Sequence, residues 1–203
     1  MSKNRDTIYT EPLADSGLFT FDERVATVFP DMIRRSVPGY PTIIAMTGLL
    51  AGKYASEGSN LYDLGCSLGA STLSMRENIQ QDDCHIIAVD NSEAMLSRCR
   101  EIVATGSDKP SISLVCSDLQ DVAIVDASVV VMNFTLQFIP LPRRDEIIAR
   151  VHAGLRPGGI MVLSEKVTFE DPHLDAVSYT HLRAHETQPV ISYAVFCLKR
   201  GGG

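Results

Sequence analysis

Residues 60–75, NLYDLGCSLGASTLSM, change character in their middle. The first half is a short apolar run that carries one acid, Asp63, and the second half has the apolar spacing of a helix. Gly65 and Gly69 lie where the two halves meet. A glycine turn at the carboxyl edge of a sheet leaves bare backbone, which a ligand can approach closely. The stretch therefore predicts a strand, a turn and a helix with a binding surface made of backbone.

Five runs of strand length occur from residue 60 onward, and most of their residues are apolar. They are NLYDL, HIIAVD, SISLV, SVVVMNF and IMVLSEK, which begin at residues 60, 85, 111, 128 and 160. Parallel strands that are covered on both faces have this composition. Helical patterns over 70–80, 92–104 and 142–155 separate the runs. Strand and helix in alternation predict an α/β fold with a doubly wound parallel sheet.

The rest of the chain predicts one domain with an N-terminal helical cap. Residues 20–56 have the pattern of two helices separated by a Pro-Gly turn, and they precede a sheet core at about 58–170. From about residue 177 the alternation of strand and helix patterns stops. The sequence there, VSYTHLRAHETQPVISYAVFCLKRGGG, resembles translated adaptor sequence. We therefore expect a single domain over 1–176 and a non-native tail over 177–203. The alternative is a native helix followed by a strand, VISYAVFCL, beside the fifth strand.

Composition argues against several classes of protein. The net charge of −7 disfavours direct nucleic-acid binding, because such proteins concentrate Lys and Arg on one face. No apolar run approaches the ~18 residues of a membrane-spanning helix, and the first residues lack the apolar core of a secretory signal. We therefore expect a cytoplasmic protein without membrane contact. The five cysteines have neither CxxC nor Cys/His spacing, so no metal site is predicted.

The glycine turn favours a nucleoside ligand that carries no pyrophosphate. A dinucleotide site has the pattern G-x-G-x-x-G, but Ser67 stands at the second glycine position and no third glycine is in register. This weakens the hypothesis of an NAD-dependent oxidoreductase. The order acid, Leu, Gly, x, Ser or Gly, x, Gly instead resembles the first motif of class I S-adenosylmethionine-dependent methyltransferases. Their ligand has an amino-acid part and a nucleoside part.

Polar residues end the next three strands. Asp90 lies 25 residues beyond Gly65, and an acid at about this spacing can accept hydrogen bonds from ribose hydroxyls, although it could also cap the following helix. The Asp118 carboxylate and the Leu119 amide suit the amino group and a ring nitrogen of adenine, but Asp118 could equally form a turn with its own backbone. Asn133 follows apolar residues and needs a partner if it is buried.

Longer blocks of sequence sharpen this resemblance. They are FDERVATVFPDMIRRSVPGY, YDLGCSLGASTLS, AVDNSEAM, NFTLQF and LSEK. Together they closely resemble the carboxy-S-adenosyl-L-methionine synthase family over roughly residues 4–172. The resemblance implies a Rossmann-like class I methyltransferase fold. It also implies that S-adenosyl-L-methionine and prephenate are converted to carboxy-S-adenosyl-L-methionine and phenylpyruvate, with the product serving modification of the wobble uridine in tRNA. A homodimer is implied as well.

The chemistry that the resemblance implies has a physical basis. The sulfonium charge acidifies the attached methyl group, and the deprotonated carbon can capture carbon dioxide that prephenate releases in a closed site. The resemblance assigns S-adenosyl-L-methionine contacts to nine residues but gives no catalytic residue and no metal. These residues are Tyr40, Gly65, Cys66, Ser67, Asp90, Asn91, Asp118, Leu119 and Asn133. The ring of Tyr40 could lie against the sulfonium in a cation–π contact.

The chain departs from the family pattern after the fifth strand. Relatives continue with further helices and two last strands, and the arginine that holds a substrate carboxylate lies in that part. Arg183 and Arg200 match nothing there. We therefore expect the last two strands to be missing and the outer edge of the fifth strand to be bare unless the tail covers it. A conventional methyltransferase and a non-catalytic S-adenosylmethionine-binding module remain open alternatives.

Overall fold

The computed structural model describes residues 22–107, 109–166 and 193–201, and it gives a sheet of six strands in the order β3-β2-β1-β4-β5-β6. The strands are β1 Asn60–Leu64, β2 His85–Asp90, β3 Ser111–Cys116, β4 Ala127–Asn133, β5 Leu155–Lys166 and β6 Tyr193–Lys199. The first five are parallel, as the apolar runs predicted, and β6 is antiparallel to β5. The predicted doubly wound α/β fold is confirmed.

Five helices accompany the described part of the sheet. They are α1 Glu23–Ser36, α2 Tyr40–Tyr54, α3 Ala70–Asn78, α4 Glu93–Val103 and α5 Leu141–Gly154. Side-chain caps begin two of these helices: the Asp22 carboxylate accepts from the backbone N–H of Val25 at 3.0 Å, and the Ser92 hydroxyl accepts from that of Met95 at 3.2 Å. Within the described ranges, no helix combines the length and apolarity that crossing a membrane requires.

Apolar side chains cover both faces of the sheet, which explains why the strands are nearly continuous in hydrophobicity. On one face Leu61 and Val131 belong to a buried cluster with Ala51 of α2 and Met75 of α3. On the opposite face the cluster contains Tyr62, Val130 and Met132 of the strands together with Ile147 and Val151 of α5. The carboxyl ends of β1 to β5 therefore form one edge between two helical layers.

The outer edge of β5 is covered. We expect this edge to be bare unless the tail covers it, and β6 of the tail pairs with β5 from Ile160↔Lys199 to Lys166↔Tyr193. The run YAVFCLK is rich in β-branched and aromatic residues, and it satisfies edge N–H and C=O groups that would otherwise be unpaired. A strand therefore lies beside the fifth, as one part of the alternative for the tail states, and the non-native origin of the tail stays a prediction. The predicted boundary near residue 177 lies outside the described residues.

The core predicts a large difference between two leucine substitutions. Leu61 in β1 is 0% exposed, whereas Leu49 in α2 is 58% exposed. Leu61→Ala should lower the free energy of unfolding by ~2–5 kcal/mol, because it leaves a cavity beside α3. The matched variant Leu49→Ala should change it by less than ~0.5 kcal/mol. Urea unfolding followed by circular dichroism measures both, and equal losses would contradict this packing.

Candidate functional site

The turn between β1 and α3 is held against the end of β2. The backbone N–H groups of Gly65 and Cys66 both donate to the Val89 carbonyl, at 2.8 and 2.9 Å. Three residues of this turn have positive φ: Gly65 at 83°, Ser67 at 51° and Gly69 at 81°. Left-handed backbone of this kind favours glycine at the first and last of these positions. The predicted glycine turn therefore lies at the carboxyl edge of the sheet.

The bare backbone of Gly65 faces a side chain of the protein itself. A Cβ atom at Gly65 would lie 2.2 Å from Oγ1 and 2.5 Å from Cγ2 of Thr135. The missing Cβ therefore makes room for Thr135, and the contact of this backbone with a ligand stays a prediction. The sequence analysis did not find Thr135; its one signal was its position two residues beyond β4 in NFTLQF. Gly65 therefore joins the ends of β1 and β4.

Asp90 ends β2 and binds both neighbouring turns. Its Oδ2 accepts from the Ser67 N–H at 2.8 Å, and its Oδ1 accepts from the Ser92 N–H at 2.9 Å. Burial raises the pKa of Asp90, and hydrogen bonds from the backbone of Ser92, Ser67 and Asn91 oppose this. A carboxylate has about four acceptor positions, so ribose hydroxyls can still bind. The cap of α4 is Ser92 rather than Asp90, and the geometry of the Asp90 carboxylate suits the expected contact with ribose.

Asn91 and Asp118 lie together at the ends of β2 and β3. The Asn91 side chain donates from Nδ2 to Oδ1 of Asp118 at 2.9 Å. Asp118 precedes the 3₁₀ turn Leu119–Asp121, but its side chain does not cap that turn. The backbone carbonyl of Asp118 does accept from the Asp121 N–H at 3.0 Å, so Asp118 takes part in the turn, and its contact with adenine stays a prediction. Arg150 of α5 donates to the Leu119 carbonyl at 3.2 Å and so holds the start of the same turn.

Asn133 ends β4 and directs its carboxamide into the helical layer. Its Nδ2 donates to Thr47 Oγ1 of α2 at 3.2 Å and to Ser71 Oγ of α3 at 3.0 Å. Its Oδ1 is enclosed and has no hydrogen-bond partner among the described residues. Thr47 and Ser71 thus supply part of the hydrogen bonding that the enclosed carboxamide of Asn133 requires. Asn133 connects β4 to α2 and α3 beneath the edge.

Two aromatic rings form a wall beside this edge. The centroids of Tyr40, at the start of α2, and Phe134 lie 6.4 Å apart with the rings tilted by 41°. Burial raises the pKa of Tyr40 to about 12, the negative charge of Asp63 adds to this effect, and Arg34 opposes it. Phe134 has a φ of 59°, which is uncommon for an aromatic residue. The sequence analysis found Tyr40 but missed Phe134, for which no local signal exists.

Asp63 fixes the turn from below. It is 2% exposed, and its Oδ2 accepts from the Thr72 hydroxyl at 2.6 Å. Burial raises the pKa of Asp63 to about 6, while hydrogen bonds from the side chain and backbone of Thr72 lower it. The carboxylate is enclosed between β1 and α3, which supports a role in fixing the turn. Contact with the amino group of the ligand is the alternative role for this acid.

Thiol and metal chemistry receive no support from the described residues. Cys66 is buried, and a hydrogen bond with Cys99 together with burial raises the pKa of its thiol, which disfavours the reactive thiolate. Its contribution to the edge is therefore its backbone. Within residues 22–107, 109–166 and 193–201, no group of three or more His, Cys, Asp or Glu side chains could hold a metal ion.

The chain is similar in sequence to known methyltransferases and synthases. The profile of a methyltransferase domain family matches residues 61–159. Carboxy-S-adenosyl-L-methionine synthase of Geobacter sp. (strain M21) is 56% identical over 186 residues, which are 91% of this chain and 75% of that protein. The synthase of Aliivibrio fischeri (strain MJ11) is 59% identical over 169 residues, 83% of this chain and 69% of that protein.

The chain belongs to the carboxy-S-adenosyl-L-methionine synthase family. It is therefore a transferase that depends on S-adenosyl-L-methionine, as the motif blocks predicted. Among solved structures, S-adenosylmethionine-bound CalS10, an amino pentose methyltransferase from Micromonospora echinaspora, superposes with a TM-score of 0.55. It is 19% identical, and the match covers 77% of this chain and 61% of that one. This similarity confirms the class I methyltransferase fold of the synthase family.

Asp63 predicts a specific dependence of stability on pH. Because its pKa is raised to about 6 in the folded chain, the folded state holds the proton more tightly than the unfolded state. The resulting stability is present below about pH 4 and is lost as the pH rises through about 6. Asp63→Asn removes this loss. Between pH 4 and 7.5 the free energy of unfolding of wild type should therefore fall by up to ~3 kcal/mol relative to that of the variant. Denaturant unfolding at each pH measures this difference.

The control for this experiment is Asp145→Asn, which neutralises an exposed carboxylate of α5. Its pH profile should run parallel to that of wild type. A parallel profile for Asp63→Asn would refute the buried, proton-holding state of Asp63.

The contact between Gly65 and Thr135 predicts a coupled pair of substitutions. Gly65→Ala should lower the free energy of unfolding by ~2–4 kcal/mol, from left-handed backbone strain and from overlap with Thr135. In a Thr135→Gly background the overlap disappears, and only a strain of ~1–2 kcal/mol remains. A double-mutant cycle by chemical unfolding measures the coupling. Equal costs of Gly65→Ala in both backgrounds would show that the two residues do not touch.

Proposed function

We propose that this chain transfers a carboxyl group from prephenate to the methyl carbon of S-adenosyl-L-methionine, giving carboxy-S-adenosyl-L-methionine and phenylpyruvate. The observation that carries the proposal is the 56–59% identity of the chain to carboxy-S-adenosyl-L-methionine synthases. The reaction balances: the methyl group loses a proton and gains carbon dioxide. Prephenate loses carbon dioxide and its ring hydroxyl, which leaves with that proton as water.

The layout of the sheet edge supports an extended nucleoside ligand. In the order β3-β2-β1-β4, the end of β2 carries Asp90, and the ends of β2 and β3 carry the Asn91–Asp118 pair. The ends of β1 and β4 carry Gly65 and the aromatic wall. A ribose on Asp90 therefore orients adenine toward β3. It orients the sulfonium and the amino-acid part toward β1 and β4.

The proposal assigns binding roles to the nine residues that the family resemblance named. Asp90 accepts from the ribose hydroxyls, Asn91 and Asp118 lie beside the adenine, and the Leu119 amide binds a ring nitrogen. The backbone of the 65–67 turn lies along the amino-acid part. Tyr40 provides a ring for the sulfonium charge, and Asn133 supports the turn from β4. No side chain is assigned as a catalytic acid or base.

What this chain supplies to the reaction is placement and exclusion of water. The sulfonium makes the methyl carbon acidic, so the residues around it need to hold carbon dioxide beside that carbon rather than provide a strong base. Tyr40 and Phe134 are apolar at their faces, and Phe134 is buried. A dry wall at this position favours capture of carbon dioxide over its escape to solvent.

The biological setting in the proposal follows the family resemblance. The product would supply modification of the wobble uridine in tRNA, and the chain itself would bind no nucleic acid. This agrees with its net charge of −7, which disfavours a phosphate-backbone contact. The proposal also includes action in the cytoplasm as a homodimer.

Mass spectrometry of the reaction tests the proposed function. Purified chain is mixed with S-adenosyl-L-methionine and prephenate, and the expected product is heavier than the substrate by one carbon dioxide. Asp90→Asn should weaken S-adenosyl-L-methionine binding about tenfold or more in calorimetry, because charge-assisted hydrogen bonds to the ribose are lost. Asp82→Asn, an exposed acid at the opposite edge of the sheet, is the matched control and should bind as wild type does.

Other outcomes identify the alternatives. Methyl transfer to a small molecule or RNA without prephenate would indicate a conventional methyltransferase. Normal S-adenosyl-L-methionine affinity with no product would indicate a non-catalytic binding module. Binding of NADH in preference to S-adenosyl-L-methionine would contradict the whole assignment.

A further inference from the structure

The short turn after β4 is held at both ends by opposite charges. This 3₁₀ turn, Leu136–Phe138, begins where the Leu136 N–H donates to Oε1 of Glu165 at 2.6 Å. Glu165 lies near the end of β5 and is half-buried. Burial raises the pKa of Glu165, and backbone hydrogen bonds from Leu136, Gln137 and Thr135 lower it. Glu165 thus acts as an acceptor for the N–H groups at the start of the turn.

Arg144 of α5 holds the other end of the same turn. Its Nε donates to the Ile139 carbonyl at 2.9 Å, and its Nη2 donates to the Gln137 carbonyl at 3.2 Å. A carboxylate at the N–H end and a guanidinium at the carbonyl end both match the polarity of a helical turn. Hydrogen bonds to charged groups are stronger than neutral ones, so this pair restricts the turn more than solvent would.

The two residues before the turn, Phe134 and Thr135, face Tyr40 and Gly65, and we call this pair the Phe134–Thr135 wall. Thr135, immediately before the turn, occupies the space beside Gly65, and Phe134 packs against Tyr40. The Phe134 N–H donates to the Ser164 carbonyl at 2.7 Å, so this strained residue is also anchored to β5. A wall with a φ of 59° at Phe134 needs such anchors, because relaxation of the backbone would move both side chains.

We propose that Glu165 and Arg144 are positioning residues for the Phe134–Thr135 wall, and that they thereby set the affinity for the sulfonium and amino-acid part of S-adenosyl-L-methionine. This inference rests on the proposed function. The wall stands over the ends of β1 and β4, whereas Asp90 and Asp118 stand over β2 and β3. Glu165 and Arg144 together form a clamp on the turn. Loss of this clamp therefore weakens binding of the amino-acid part of the ligand and leaves binding of the adenosine part unchanged.

Two ligands separate these halves in a binding experiment. S-adenosylhomocysteine has both the nucleoside and the amino-acid part, and 5′-methylthioadenosine has the nucleoside and sulfur but no amino-acid part. Glu165→Gln keeps the shape of the side chain but turns an acceptor-only group into one that also presents donors to the N–H groups of the turn. Calorimetry should show about tenfold weaker binding of S-adenosylhomocysteine and less than about twofold change for 5′-methylthioadenosine.

Arg144→Gln is the second variant, and it should produce the same selective loss from the other end of the turn. If Glu165→Gln does not melt cooperatively, Arg144→Gln carries the test. Glu146→Gln makes the same chemical change on the exposed side of α5 and should bind both ligands as wild type does.

Three results would contradict the positioning role of Glu165 and Arg144, and the third would also contradict the proposed function. Equal losses for both ligands would mean that the clamp only maintains the fold. No loss for either ligand would mean that the clamp does not position the wall. If wild type itself bound neither ligand, the proposed function would fail and this inference with it.

Discussion

The backbone between β1 and α3 is tied to the end of β2, and the candidate site depends on this connection. The N–H groups of Gly65 and Cys66 share the Val89 carbonyl, and the N–H of Ser67 donates to the Asp90 carboxylate. These bonds turn the chain sharply at the edge of the sheet. They also fix the carboxylate that we assign to the ribose. A side chain at Gly65 would break the arrangement, because Thr135 already fills that space.

The edge gains its shape from contacts among four strand ends rather than from any single loop. Asn133 joins β4 to α2 and α3, and Glu165 joins β5 to the turn after β4. Asp63 and Thr72 hold the start of α3 from inside. Each of these residues is wholly or partly buried and makes at least one hydrogen bond across the edge, so the edge is more rigid than its loops alone would be. Rigidity of this kind suits a reaction in which placement matters more than acid or base strength.

Much of the fold and part of the site could be predicted from sequence, for local reasons. The continuous apolar strands and the helical patterns between them are short-range patterns, and the glycine turn and Asp90 have a spacing that the α/β fold imposes. Thr135 beside Gly65 could not be predicted, because 70 residues separate the two positions. The strand β6 was open to prediction as an alternative, because its apolar run VISYAVFCL has strand length and the fifth strand has a free edge. The contact of Glu165 with the turn after β4 could not be predicted either, because the two are distant in sequence.

We propose that S-adenosyl-L-methionine lies across the carboxyl edge with its ribose on Asp90, and the assignment of the other binding residues depends on this placement. A crystal structure of the chain with S-adenosylhomocysteine tests this claim most directly. The account predicts both ribose hydroxyls within hydrogen-bond distance of the Asp90 carboxylate, adenine toward Asp118, and the amino-acid part between Gly65 and Tyr40. A nucleoside bound elsewhere, or bound in the reverse direction with its adenine over β4, would contradict it.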